Sequence, residues 1–515
     1  MALALPGIAM AATFDAERLE AVLDYPIVYV RQPRHGDTIA SRWPDFDRPF
    51  HAEPDSDLVL RHPDGSEQVL ADVTRGAVID PAVSFDGQRV YFAVLYQPLE
   101  DRPRRGVKTG GADLFVVDIP SQLGRQLTFD GLEGVFNTGP YPLPGGRLAF
   151  TSTRTGYRAV GQGSLVTQLY VMDVDGRNAS PIAPMTHQGA LHPYTLADGR
   201  LAFSSQEGQG LRSDQLWGVW SIYPDGREWE PMVGAFNHGK GFHWFAETSD
   251  GTLVVGDYYR RNNFAAGALY RIPSPGPGQR PLFHGADGGG EFRVDGFAPL
   301  PFAPRGMVTL APWAISGDVP SPVSDGVHLG KLTHPSPAPD NGLLLVWLDG
   351  PANNRGADGV PMPDSGIYLL PEVAATVDHP RELQRVVNDS RWNEAQPRAV
   401  VPYGAIMGRD QPVILPDLPV EGQRLAPGEA AGLVGSISLL LRETTPAFAE
   451  SDPWRGLGAF NRAPRGAQNW LTQGAAAAVY GDDEVWWVRI LAAEPRPPGS
   501  QALYSHADAR LPIQG

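Results

Sequence analysis

One turn motif recurs along this chain and limits what it can fold into. Four times an Asp-Gly or Gly-Gly pair separates two runs of alternating apolar residues. The pairs are Asp86-Gly87 in DPAVSFDGQRVYFAV, Gly145-Gly146 in GPYPLPGGRLAFTST, Asp198-Gly199 in HPYTLADGRLAFSSQ, and Asp250-Gly251 in FHWFAETSDGTLVVGDYY. Such pairs supply the positive φ that a tight hairpin requires. Alternation of period two marks a half-buried strand. A looser copy, DGFAPLPFAPRGMVTLAP, starts at Asp295. The copies lie roughly 50–60 residues apart, within reach of the period of one propeller blade.

A second pattern, an apolar strand followed by a turn, lies between these copies. It reads ADLFVVDIPSQLGRQLT from Ala112, QLYVMDVDGRNASPIA from Gln168, LWGVWSIYPDGREWEPM from Leu216 and GALYRIPSPGPGQRPLF from Gly267. Two hairpins per repeat make a four-stranded unit. Such a unit cannot bury both faces alone, so copies stack around an axis. The sequence therefore predicts an all-β chain, a six- or seven-bladed β-propeller with a small C-terminal β-rich region. The blades are expected over 55–405, from LVLRHPDGSEQVL through LLLVWLDG, SGIYLLPE and AVVPYGAI. Residues 13–54 read as a lead-in strand and loop, with a short helix over 15–24. Ser316–Pro339, rich in Pro, Ser and Gly, reads as a loop. Residues 406–515, with GLVGSISLLLRET and EVWWVRILAAEP, read as the second region.

Composition removes several function classes. Lys and Arg number 42 against 58 Asp and Glu, a net charge of −16. Nonspecific nucleic-acid binding needs the opposite sign. Without a single cysteine, disulfides, thiolate metal sites, Cys nucleophiles and covalent c-type haem attachment are excluded within the chain. No apolar run reaches the roughly 18 residues of a membrane helix. Residues 1–12, MALALPGIAMAA, end in an A-x-A-like pattern and read as a signal-peptide remnant, hence an exported, periplasmic-type protein. Gly and Pro number 59 and 50, but apolar residues are 42 % of the chain, so many tight turns are expected rather than disorder.

Aligning the repeats by their turns makes Asp80, Gly139 and His192 equivalent, each just before Pro, with His243 and Trp244 nearby in the next copy. His187 and His238 fall in the loops leading into those strands. At the mouth of a central channel these residues form a candidate His/Asp ring. His192, His243 and Asp80 are the expected metal ligands, and His187, His238 and Trp244 the expected ligand contacts. The bland alternative is that they bond neighbouring blades or line a wet channel. Gly234 to Gly241 nearly matches a P-loop, but Gly241 stands where Mg²⁺ needs Ser or Thr. Asp173-Val-Asp175-Gly176 resembles part of a calcium loop but lacks its Gly and Glu, so a hairpin turn is expected. Neither H-E-x-x-H nor G-x-S-x-G occurs. Trp217, Trp220, Trp229 and Trp244 serve either as blade core or as sugar-stacking surfaces. Asn178 and Asn388 begin formal glycosylation sequons.

The hairpin repeats resemble the WD40-like repeats of TolB-type propellers. YPIVYVRQPRHGD, NTGPYPLPGGRLAFTSTRTGY, NDSRWNEAQPRAVVPYG, AQNWLTQGAAAAVYGDDEVWWVRILAAEP and HADARLP together resemble the hydrazine synthase alpha-subunit family. In that family a propeller is joined to haem-carrying parts, and the chain continues into a CxxCH segment. With no cysteine here, the resemblance implies the scaffold and not the haem chemistry. No cofactor is expected within the chain by motif. Haem would come only from a missing segment or a partner. The expectation is an exported scaffold or interaction protein beside c-type cytochrome or other redox partners. The alternatives are the haem-free portion of a haem- or metal-dependent oxidoreductase, and a ligand-binding propeller.

Overall fold

The computed structural model describes residues 19–34, 44, 49–74, 76–96, 110–156, 165–182, 189–206, 217–227, 229–233, 241–259, 265–273, 307–317, 319–353, 364–414, 492–493 and 513–514. They are nearly all β. Strands β1 (Ile27–Pro33), β2 (Asp57–Arg61) and β3 (Glu67–Ala71) come first. A four-stranded antiparallel sheet follows: β4 (Gly76–Val83), β5 (Arg89–Tyr96), β6 (Ala112–Asp118) and β7 (Leu123–Gln126). The next is β8 (Asn137–Leu143), β9 (Arg147–Ser152), β10 (Gln168–Asp173) and β11 (Ser180–Pro181).

Two further antiparallel sets share one hydrogen-bonded sheet through a single parallel contact between Trp217 and Gly241. One is β12 (Ala190–Thr195), β13 (Leu201–Gln206), β14 (Trp217–Ile222) and β15 (Glu230–Val233). The other is β16 (Gly241–Glu247), β17 (Leu253–Tyr258), β18 (Ala268–Ile272) and β19 (Val308–Thr309). After the small hairpin β20 (Val323–Ser324) and β21 (Val327–His328) come β22 (Lys331–Pro337), β23 (Leu343–Leu348), β24 (Ser365–Leu370) and β25 (Gln384–Val387). The last long strand, β26 (Trp392–Ala399), pairs antiparallel with β1 and completes the order β26-β1-β2-β3.

The four turn motifs fold as their glycines require. Gly87, Gly145, Gly146, Gly199 and Gly251 all have φ between 72° and 91°. In the Asp-Gly turns the aspartate accepts a hydrogen bond from the backbone two residues on. Asp86 Oδ1 takes the Gln88 N–H at 3.0 Å, Asp198 Oδ1 the Arg200 N–H at 3.0 Å and Asp250 Oδ1 the Thr252 N–H at 2.9 Å. This is the Asx closure that suits Asp to such positions. Asp173–Gly176 is a turn of the same kind, with Asp175 Oδ1 accepting from Arg177 N at 3.1 Å.

The apolar residues between the turns pack face to face between neighbouring sheets. Tyr29, Val59, Val78, Phe92, Val346, Ile367 and Ala395 share one buried cluster drawn from three neighbouring sheets. Each buried Val or Ile side chain there contributes about 1.5–3 kcal/mol by leaving water.

Three local expectations are corrected. The described part of the segment expected to be helical, from Leu19, is extended. Glu20 bridges Arg385 at the edge of β25, and Arg385 N–H donates to the Leu19 carbonyl at 2.8 Å. An open sheet edge satisfies this backbone more completely than one isolated helical turn. The Ser316–Pro339 stretch holds strand β22. Its prolines are tolerated because they sit at a bulge and at the strand end. Finally, AVVPYGAI is the end of β26 followed by a short helix, α1 (Tyr403–Met407), closed by Gly408 at φ 67°.

Candidate functional site

The first strands of successive sheets lie side by side: β4 against β8, β8 against β12, β12 against β16, β16 against β22, β22 against β26, and β26 against β4. Each is broken at the same place by a β-bulge, where its pairing slips. One residue at each bulge has positive φ: Asp80 (58°), Gly139 (59°), His192 (49°), Trp244 (61°), His334 (47°) and Gln396 (52°). Five of the six precede proline; after Trp244 comes Phe245. Positive φ costs a non-glycine residue on the order of 1–3 kcal/mol and persists only where surrounding contacts impose it.

Those contacts form a chain through the buried centre. Asp80 and Gln396 exchange two hydrogen bonds, Asp80 N–H to Gln396 Oε1 at 2.8 Å and Gln396 Nε2 to Asp80 Oδ1 at 3.0 Å. Gly139 N–H donates to Asp80 Oδ2 at 2.9 Å, and His192 Nε2 lies 3.2 Å from Asp80 Oδ1. The other nitrogen of His192, Nδ1, meets His243 Nε2 at 2.5 Å. His243 Nδ1 in turn meets the Tyr258 hydroxyl at 2.6 Å. The Trp244 indole packs against His192, His243 and His334, with ring centroids 4.1, 4.1 and 4.4 Å away.

Burial sets the electrostatics. It would push the Asp80 carboxyl up, but His192, the Gly139 N–H and the Gln396 amide together hold it below the ordinary carboxylate range. Burial pushes His243 well below the usual imidazole range, helped by His192 and His334. His334 is pushed down in the same way, by burial first and then by Arg398 and His192. The arrangement is an ionised carboxylate at one end, His192 beside it, the His243 imidazole held in its neutral form further on and a phenol at the other end.

A pocket opens onto this ring, lined by Asp80, Gly139, His192, Trp244 and His334 and, one step further, by Tyr141, Tyr194 and Arg398. Of the residues singled out from sequence, Asp80, His192, His243 and Trp244 are brought together. The three expected metal ligands are joined in series, not converged on one point. Both ring nitrogens of His192 are engaged within the chain. Among the described residues no group of three or more His, Asp or Glu is arranged to hold a metal ion. His187, His238 and the P-loop-like segment up to Lys240 lie outside the described residues, as does nearly all of 415–515.

Trp217 and Trp244 are buried, whereas Trp229 is 47 % exposed and packs on Trp220 at 5.4 Å. His334, Gln396, Arg398 and Tyr258 were missed from sequence. A signal for the first two existed: His334-Pro335 and Gln396-Pro397 repeat the residue-Pro pattern of Asp80-Pro81 and His192-Pro193.

No family model matches the chain, and no curated protein matches it. Solved structures do. Hydrazine synthase from Kuenenia stuttgartiensis is similar with a TM-score of 0.50 at 18 % identity, over 81 % of this chain and 51 % of that one. TolB from Acinetobacter baumannii follows at 0.39 and 12 %, over 74 % and 67 %. A TolB from Agrobacterium tumefaciens matches at 0.27 and 20 %, over 35 % and 57 %. The likeness to hydrazine synthase is one of fold alone. The chain spans about half the length of the hydrazine synthase chain.

Proposed function

We propose that this chain is a closed six-bladed propeller that binds a small ligand at its central ring. One observation carries the reading: six bulged positions, one from the first strand of each antiparallel set, hold positive φ, and five of them line a single pocket. Strain repeated in register across separate sheets is expected where preorganised groups face a ligand. A purely structural channel has no need of buried Asp, His and Trp at residues that glycine would occupy without strain. The test is binding to the purified full chain. Metal content is measured, and thermal unfolding is followed with Mn²⁺, Zn²⁺ and small anions for the wild type and for His192→Ala and His334→Ala. A ligand that raises Tm in the wild type and not in either variant supports the reading. No stabilisation by any of them overturns it.

A second reading is an exported scaffold resembling the hydrazine synthase alpha subunit, working beside c-type cytochrome or other redox partners. It is supported by the spread of the structural likeness over 81 % of the chain and by the absence of cysteine. The haem-free portion of a larger oxidoreductase is the variant of this reading in which the haem lies on the same polypeptide. Purification from the native source, followed by haem staining, tests both. A haem-bearing chain that co-purifies in fixed ratio supports the scaffold, and haem on the same polypeptide supports the variant. A lone haem-free monomer counts against each.

A further inference from the structure

We infer that the ligand of the central ring is a small planar oxoanion of the carboxylate type, held by Arg398 and the Trp244 indole. The inference rests on the ring being a ligand site and names what it takes. The pocket is lined by two donors that the chain leaves unmatched, Arg398 Nε and Trp244 Nε1.

Its acid is Asp80, whose oxygens are engaged: Oδ1 by Gln396 Nε2 and His192 Nε2, and Oδ2 by the Gly139 N–H. A carboxylate with three donors is a weak ligand for a metal ion and poorly placed to accept from a cationic guest.

The donors are less fully engaged. Arg398 lines the pocket, and among the described residues its hydrogen bond is Nη1 to the Pro397 carbonyl at 2.8 Å, with no carboxylate paired to it. Its Nε is buried without a partner, as is Nε1 of Trp244, itself 5 % exposed. The guanidinium is part-buried and the Asp80 carboxylate acts on it only through space, so part of its lost hydration is not replaced. A planar two-oxygen anion replaces it with two parallel charge-assisted bonds. The indole N–H supplies a third donor, and the facing prolines and Tyr141 and Tyr194 keep the site narrow.

Formate and acetate are the probes, with phosphate as a tetrahedral comparator and chloride at equal ionic strength as the control. Calorimetric titration and thermal unfolding of the full chain are expected to show saturable binding of formate or acetate that chloride does not reproduce. Arg398→Gln is expected to weaken it at least tenfold. Trp244→Phe, which keeps the ring and removes the N–H, is expected to weaken it several-fold. Should Arg398→Gln fail to fold, Trp244→Phe and competition of phosphate against acetate on the wild type decide the matter; equal affinity for the tetrahedral anion goes against the inference. Anion binding that both variants retain at wild-type affinity overturns it. Binding of Mn²⁺ or Zn²⁺ that depends on His192 and His334, with no oxoanion bound, also overturns it and leaves the ring itself standing. No binding of any probe removes both.

Discussion

Asp80 and Gln396 stand 316 residues apart in sequence and bind each other twice, backbone N–H to amide oxygen and amide nitrogen to carboxylate. The pair ties β4 to β26 at the ring. Gln396→Leu leaves the Asp80 N–H without its acceptor and removes one donor from the carboxylate. Unfolding in denaturant should show a loss of about 1–3 kcal/mol. Gln396→Glu should lose more, because it places a second carboxylate against Asp80, and the excess loss should shrink as the pH is lowered.

Gly139 is the one glycine of the ring. Its φ is 59°, and a Cβ there would meet Pro193 Cδ at 3.1 Å and the His192 Cα at 3.4 Å. Gly139→Ala should therefore cost on the order of 1–2 kcal/mol from backbone strain and crowding together. The same substitution at Gly226, which has open space around its Cβ position, should cost only the backbone part. Parallel denaturation curves of the two variants check this.

Hydrogen bonding along the His192–His243–Tyr258 series favours one set of tautomers. With Asp80 ionised, His192 Nε2 carries the proton it donates. Where His192 carries that proton alone, its Nδ1 accepts from His243 Nε2–H, and His243 Nδ1 accepts from the Tyr258 hydroxyl. Long-range nitrogen–proton NMR should find both rings in the Nε2–H form near neutral pH. Tyr258→Phe should keep that pattern for His192 and cost about 1–3 kcal/mol, since a buried acceptor is left without a donor. A His243 found in the Nδ1–H form would show that the chain runs the other way.

Glu247, at the end of β16, has its carboxyl raised to about 7. Burial is the main cause, opposed by the Ala197 N–H that donates to Oε2 at 2.6 Å. A raised acid holds its proton more tightly folded than unfolded. Its contribution to stability is therefore largest below the ordinary range near 4.5 and is lost as pH rises through 7. Over that window the wild type should fall by about 3 kcal/mol relative to Glu247→Gln. The variant should be the more stable of the two at pH 8. Measuring both across pH 4–8 cancels the opposite trend expected from His243 and His334, whose depressed values favour the fold at higher pH.

The sequence by itself determined the hairpins. A positive φ at Gly87, Gly199 or Gly251 and an aspartate beside it are local properties, readable from a few residues, and so is the alternation of the strands they join. It also placed Asp80, Gly139 and His192 in equivalent positions, because each repeat carries its own copy of the pattern. Only the tertiary structure decided which copies meet. Leu19–Arg385, β1–β26 and Asp80–Gln396 join segments more than 300 residues apart, and nothing local encodes such pairings. The KLTHPSP segment was hidden for a related reason. Its prolines suggest a loop until the bulge that accommodates them is seen between β16 and β26. The chemistry of the ring was also a tertiary decision. An isolated histidine or arginine carries its ordinary proton affinity. Burial among neighbouring sheets moves His243, His334 and Arg398 away from it.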